Sequence, residues 1–404
     1  MEDKNIVLYL HMHQPFRIKP FSIFNAANDH NYFNGQESGQ NNKEIFLKVA
    51  NKSYRPMLSL LEDLVDRYDK FSFSLSVSGI FLEQAKEYAP DVIDTLKRLV
   101  ASNKVEIVGE TYYHSLAFFF SPLEFERQVE LHKRIIKELF NVEPKVFRNT
   151  ELAYNNELAV WADSKGYRGI LAEGWDPILE WRSPNYVYRP VGTNNIKLLL
   201  KNYQLSDDIA FRFSDRSWLK WPLTADKYVK WAEASLRDGN ILNLFMDFET
   251  FGEHQWEDTG IFTFFSDFVN RWLMKDNHKF ITVSKACILS KNEAEISMPS
   301  VVTWADSERD LSAWIGNELQ KEATKNLYSL EDIVKESGDE SIIDDWGKLQ
   351  ASDHPYYMST KNYEDGNVHA YFSPYESPYD AFMFYMNTLR DLKYRAIKAI
   401  EARQ

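Results

Sequence analysis

Short apolar runs alternate with amphipathic helical stretches along the chain as far as residue 290. Ile6–Leu10 is apolar and rich in branched residues, the pattern of a strand buried on both faces. Phe71–Val77 alternates strictly, with Phe71, Phe73, Leu75 and Val77 on one side and Ser72, Ser74 and Ser76 on the other. That predicts a strand whose second face meets something polar. Val105–Val108, Val146–Phe147, Gly169–Leu171, Ile196–Leu200 and Ile241–Met246 are further predicted strands. Helical periodicity lies between them at Tyr54–Tyr68, Pro90–Ser102, Pro122–Phe140 and Ala225–Arg237.

Repeated strand-then-helix units imply a parallel α/β sheet. Seven of them in one run favour a closed barrel over an open sheet, and no Gly-rich dinucleotide fingerprint occurs. After residue 290 the pattern changes. Leu311–Ser337 and Ser377–Gln404 read as helices, and Ser352–Pro378 as a polar, aromatic loop. The expected organisation is a barrel over residues 1–290, followed by a C-terminal helical region over 291–404 packed against it.

Composition narrows the function classes. The formal charge of −13 disfavours nucleic acid or an anionic membrane as partner, since both reward clustered Lys and Arg. The single cysteine, Cys287, excludes an internal disulfide and a multi-thiolate metal site. The acidic start and five-residue apolar run at the N-terminus do not form a signal peptide, and no run approaches 18 apolar residues. A cytoplasmic location is the expectation. The aromatic content, 15% with 11 Trp, is high enough both to fill a core and to line a groove with flat rings.

Active sites of α/β barrels form at the C-terminal ends of the strands, so polar residues just after strand runs are the candidates. The first strand ends in His11-Met12-His13, and the Val105 strand in Gly109-Glu110 with His114 nearby. The Val146 strand ends in Arg148-Asn149-Thr150-Glu151, and the Ile241 strand in Asp247-Phe248-Glu249 followed by His254. A carboxylate after a strand can simply cap a helix, as Asp247 could. His11 and His13 share a face only if the strand continues past Leu10. Caps alone do not explain why histidines and aromatic residues accompany the carboxylates. Two carboxyl groups with separated proton affinities suit acid–base chemistry near neutral pH.

The sequences His11-Met12-His13-Gln14-Pro15, Phe147-Arg148-Asn149-Thr150-Glu151 and Met246-Asp247-Phe248-Glu249-Thr250-Phe251-Gly252 resemble three ordered motifs of glycoside hydrolase family 57. Gly109-Glu110 falls where that family's second motif belongs, and Trp304-Ala305-Asp306 through Asn317 resembles its fifth. Ser352–Met358 is similar to a segment of the family's α-amylase-like members.

The resemblance implies a seven-stranded (β/α) barrel followed by a helical region, and a retaining glycosidase acting on α-1,4-glucans with no cofactor or metal. It assigns Glu151 as nucleophile and Asp247 as general acid/base, with the two carboxyl groups about 5–5.5 Å apart as in other retaining enzymes. His11, His13, Glu110, His114 and Glu249, with Trp304, Asp306, Trp314, Asp353 and His354, are the implied substrate contacts. Trp175, Trp304 and Trp314 are candidates for stacking on sugar rings. On this reading Asp247 carries the raised pKa, aided by Phe248 and Phe251, while Arg148 keeps Glu151 ionised. Both catalytic positions are filled, and the absence of a long β-rich tail points to the small α-amylase-like group. Three other readings share parts of the pattern: a 4-α-glucanotransferase or branching enzyme with the same pair, a metal-dependent carbohydrate deacetylase using His11 and His13, and a non-catalytic glucan-binding protein.

Overall fold

The computed structural model describes residues 3–37, 39–237, 239, 241–289 and 294–403. Among the described residues there are ten strands: β1 (Lys4–Met12), β2 (Phe73–Val77), β3 (Val105–Ile107), β4 (Val146–Phe147), β5 (Gly169–Glu173), β6 (Val187–Pro190), β7 (Lys197–Lys201), β8 (Ile241–Asp247), β9 (His278–Phe280) and β10 (Glu295–Ile296). The seven strands expected from the sequence are β1 to β5, β7 and β8. The three that pattern did not reveal, β6, β9 and β10, are short pieces of two to four residues.

One sheet runs β3-β2-β1-β8, with β9 also against β1, and the other runs β10-β6-β7-β5-β4. Among the seven, all pairings within each sheet are parallel. Continuous pairing does not close the barrel. The seam between β3 and β4 is carried by Gly109 N–H to Val146 O at 2.8 Å and Arg148 N–H to Gly109 O at 2.8 Å. The seam between β7 and β8 is carried by Asn202 N–H to Asn243 O at 2.9 Å and Asn243 Nδ2 to Leu200 O at 2.9 Å.

Strand alternation sorts the residues of β1 into two sets. Ile6, Leu8, Leu10 and Met12 pack with the surrounding helices, whereas Val7 and Tyr9 join Val108, Val146, Leu171, Leu199 and Phe245 in the barrel interior. β1 continues to Met12, so His11 lies in register with the inward set. The serine face of β2 is fully buried. Tyr9 Oη and Ser76 Oγ are 2.6 Å apart, and Ser74 Oγ donates to Glu106 at 2.9 Å.

Helices Arg55–Arg67, Pro90–Ala101, Pro122–Phe140 and Ala225–Ser235 surround the strands, close to their expected spans. The C-terminal part departs further from expectation. Leu311–Ser337 is three helices, because Asn317 ends one and caps the next through a capping box with Gln320. The stretch expected as loop contains helices Asp353–Tyr357 and Tyr363–Phe372, and Glu340–Lys348 precedes it. Pro378–Glu401 is one long helix. Its core with Leu327, Val334, Ile342 and Trp346 is completed by Ile18, Phe21 and Tyr32 from the segment after β1. The anticipated domain boundary at residues 290–291 lies outside the described residues. Among the described residues, no helix is long and apolar enough to cross a membrane.

Candidate active site

The C-terminal ends of β1, β3, β4 and β8 deliver His11, Glu110, Arg148 with Glu151, and Asp247 to one rim. His11 and Asp247 are register neighbours on adjacent strands, and His11 Nδ1 lies 3.6 Å from Asp247 Oδ1. Its other nitrogen, Nε2, is 3.3 Å from Glu110 Oε2. Three imidazoles stack beside these groups. The His114 ring lies 3.8 Å from His13 and 4.9 Å from His11, each at 18° between planes. His13 Nε2 contacts Asp353 Oδ2 at 2.9 Å, and its Nδ1 contacts Ser78 Oγ at 2.8 Å.

Glu151 sits in a turn with φ 59° and ψ 23°, the left-handed region that a glutamate rarely adopts. The strained turn aims its carboxylate at partners far along the chain. Trp304 Nε1–H donates to Oε2 at 2.8 Å, and Ser352 Oγ–H donates to Oε1 at 3.0 Å. The second bond ends a directional chain. The fully buried Arg148 can only donate, so His114 Nε2, 3.3 Å from Arg148 Nη1, is the acceptor. His114 Nδ1–H is then the donor to Ser352 Oγ at 3.0 Å. Both carboxylate oxygens of Glu151 therefore accept a hydrogen bond, an arrangement that suits the ionised form.

Electrostatics divide the carboxyl groups. Burial opposes charge on Glu110, yet His11 and Arg148 beside it bring its pKa down to about 2. Burial pushes Glu249 up to about 8, and the Asp247 charge adds to the rise. Tyr54 Oη–H donates to Glu249 Oε1 at 2.6 Å. Burial also lowers the pKa of His114, to well below the usual imidazole range, with the neighbouring His13, His11 and Arg148 acting in the same direction. His114 is thus the neutral link that the chain requires.

For the pair Glu151 and Asp247, the free site reverses the expected order. Burial raises Glu151, and the Arg148 charge and Trp304 N–H only partly offset this. Surrounding protein disfavours charge on Asp247, although its side chain is 41% exposed at the mouth, but His11, followed by His254 and Arg148, holds it below the usual range. Phe248 and Phe251 lie in the helix-facing core, and burial of Asp247 is outweighed by His11. The His11 imidazole, raised despite burial and Arg148 by its carboxylate partners Glu110 and Asp247, is the proton-rich group of the pair.

The remaining expected contacts separate into two groups. Asp353 and Trp304 reach the site. His354 turns away, buried beside Tyr385 with Nε2 on Lys348 O at 3.2 Å. Trp314 is buried with Leu116 and Ala153 and offers no open ring face. Asp306 is held by Lys361 Nζ at 2.6 Å and His369 Nε2 at 3.1 Å. These three do not join the carboxylate cluster as free substrate contacts. Trp175 packs partly buried against the core that contains Tyr188 and Leu198. Sequence reasoning missed Ser352, which precedes the recognised Asp353, and Tyr54, for which no local pattern gives a signal.

His13, His114 and Asp353 each offer an atom within 4.8 Å of the others, as do His11, Glu110 and His114. An ion binds imidazole nitrogen in the plane of the ring. The stacked planes keep these nitrogens side by side, and His13 already uses both of its own. A third cluster, Asp306, Glu308 and Asp365, is entered by Lys361, whose Nζ contacts Asp306 and Glu308 at 2.6 and 2.8 Å. The geometry therefore gives no support to the metal-dependent deacetylase reading.

A model of glycosyl hydrolase family 57 matches residues 7–299. A Methanocaldococcus jannaschii protein named "Putative alpha-amylase" is 42% identical over 364 residues, 87% of this chain and 77% of that protein. Among solved structures, a GH57 branching enzyme from Thermococcus kodakaraensis superposes with a TM-score of 0.69 at 15% identity, covering 92% of this chain and 89% of the other. The 4-alpha-glucanotransferase of Thermococcus litoralis gives 0.65 at 17% identity, with 88% of this chain and 56% of the other covered. The two structural likenesses bear on the fold, while the family model and the archaeal relative bear on descent: the chain belongs to glycosyl hydrolase family 57.

Proposed function

We propose that this family 57 protein is a retaining glycosidase of α-1,4-glucans in which Glu151 is the nucleophile and Asp247 the general acid/base. The observation that carries this reading is the double hydrogen bonding of Glu151. Trp304 and Ser352 fix both oxygens of a carboxylate held in a strained turn. Glu151 attacks the anomeric carbon while a proton passes to the departing glycosidic oxygen, and a β-linked glycosyl ester forms. Water or a sugar hydroxyl then gives its proton to Asp247 and displaces Glu151, restoring the α configuration.

His11 supplies what Asp247 lacks in the free site. Its Nδ1 lies 3.6 Å from Asp247 Oδ1 and its pKa is raised, so substrate that shields Asp247 from water favours passage of a proton from His11 to the carboxyl. Buried Glu110, held low by His11 and Arg148, favours protonation of His11 from the opposite nitrogen. Glu249 and Asp353 are further polar groups of the rim that we assign to sugar hydroxyls, with His13 orienting Asp353 through its Nε2.

The amylase, transferase and branching activities named for its relatives support an α-glucan substrate. Incubation with maltoheptaose tests both the linkage and the outcome. Shorter products released as the α-anomer match hydrolysis, and longer ones match the transferase reading. Release of the β-anomer, or no turnover of any α-glucan, overturns the proposal.

A further inference from the structure

Four charged side chains that the mechanism above does not use converge beside Trp304. Lys201 closes β7 and Glu173 closes β5; Asp207 lies on helix Tyr203–Ala210, and Arg309 follows the turn that carries Trp304. Lys201 is 4% exposed, Glu173 is 0% and Asp207 is 7%. Lys201 Nζ is 2.9 Å from Asp207 Oδ1 and 3.7 Å from Glu173 Oε2. Arg309 reaches the same two carboxylates, at 3.3 Å from Glu173 and 3.7 Å from Asp207.

Burying four charges is costly, and a buried ion cluster is weak evidence for stability as such. This cluster has two links to the reacting groups, and both pass through Trp304. The Lys201 ammonium lies 5.5 Å from the indole centroid, and Arg309 donates to the Trp304 carbonyl. Trp304 in turn binds Glu151 twice, through its backbone N–H to Glu151 O at 3.2 Å and its indole N–H to Oε2 at 2.8 Å. A cation beside an indole draws electron density from the ring and strengthens N–H as a donor.

We propose that Lys201, Asp207, Glu173 and Arg309 are positioning residues for the nucleophile, holding the Trp304 indole on Glu151 and, through the Lys201 charge, favouring the carboxylate form of Glu151. The inference rests on Glu151 being the nucleophile. Arg148, His114, Asp247, Asp353 and Tyr356 also face Glu151, but none of them bonds to the four-charge cluster. A charge change at Lys201 therefore reaches Glu151 by way of Trp304. The two acidic members set how much of the Lys201 charge the ring experiences.

The test compares Lys201→Met, which keeps the chain length and removes the charge, with Lys201→Arg and Asp207→Asn. The readouts are kcat/KM for maltoheptaose against pH and the titration of the Glu151 carboxyl by isotope-edited infrared difference spectroscopy, which needs no turnover. Lys201→Met is expected to move the acid limb and the Glu151 titration up by about half to one pH unit, a roughly three- to tenfold loss on the acid side. Lys201→Arg should restore both, and Asp207→Asn should move both downward. In a Trp304→Phe background, Lys201→Met should add nothing. An unmoved limb and titration in Lys201→Met, or the same shift with Phe at position 304, would overturn the inference whatever happens to the melting temperature. The titration shifts in Lys201→Met and Asp207→Asn, found alongside wild-type protein that turns over no α-glucan, would count against the proposed function alone.

Discussion

The indole N–H of Trp304 donates to Oε2 of Glu151 across 2.8 Å, although 153 positions separate the two residues in sequence. The bond joins the turn after β4 to the segment that leads into the C-terminal helices. A hydrogen bond to a charged group contributes about 1.5–3 kcal/mol. Trp304→Phe keeps a ring beside Arg148 and Lys201 and loses only the donor. The expected result is a roughly 10- to 100-fold fall in kcat with the fold retained. Steady-state kinetics and circular dichroism check it.

Removing the nucleophile itself should leave a rescuable enzyme. Glu151→Ala is expected to lose activity by several orders of magnitude, because the covalent route is gone. Azide, small enough to enter the vacated space, should restore part of it and yield a β-glycosyl azide. Proton NMR of the product reads the configuration, and an α-azide would contradict the assignment.

Asp247 has a different signature. Proton donation matters most when the departing oxygen is strongly basic. Asp247→Asn should therefore cleave an activated aryl maltoside in a burst and then stall at deglycosylation, while natural oligosaccharides fail in the first step. Equal losses of the first step on both substrates would remove Asp247 from the acid role.

Glu249 tests the electrostatics of the rim. Its carboxyl, raised to about 8 by burial and the Asp247 charge, is protonated at neutral pH, so Gln is close to its isostere. Glu249→Gln should stay within about tenfold of wild type at pH 6, whereas Glu249→Ala strands the Tyr54 hydroxyl and loses more. Stability carries the matching sign. The folded state holds this proton more tightly than the unfolded chain does. Wild type is thus close to Glu249→Gln in stability below about pH 4.5, and it falls progressively behind as pH rises toward 8. Denaturant titrations at pH 5 and pH 8.5 measure the difference.

Much of this site is visible in sequence because it lies where strands end. Val7, Tyr9 and His11 follow a period of two, and once β1 reaches Met12 the direction of His11 is settled. The ends of β3, β4 and β8 reveal Glu110, Glu151 and Asp247 in the same way. After residue 300 no strand among the described residues gives a direction to a side chain. Trp314 and His354 sit in the same motifs as Trp304 and Asp353, yet one of each pair faces the site and the other a helical core. The proton affinities of Asp247 and Glu151 are hidden from sequence for a related reason. Sequence neighbours such as Phe248 point to a raised Asp247, while the group that outweighs burial is His11, brought alongside by strand pairing.

Every step of the proposed mechanism depends on the covalent role of Glu151. Its most direct test is to trap the intermediate with a 5-fluoro-α-maltosyl fluoride, digest the protein and locate the added sugar by mass spectrometry. The expected result is a single glycosyl ester on Glu151 that disappears when a maltooligosaccharide acceptor or time is allowed to release it. A label on Asp247 or Glu110 instead, or turnover of the reagent with no labelled peptide and an inverted product, would contradict it.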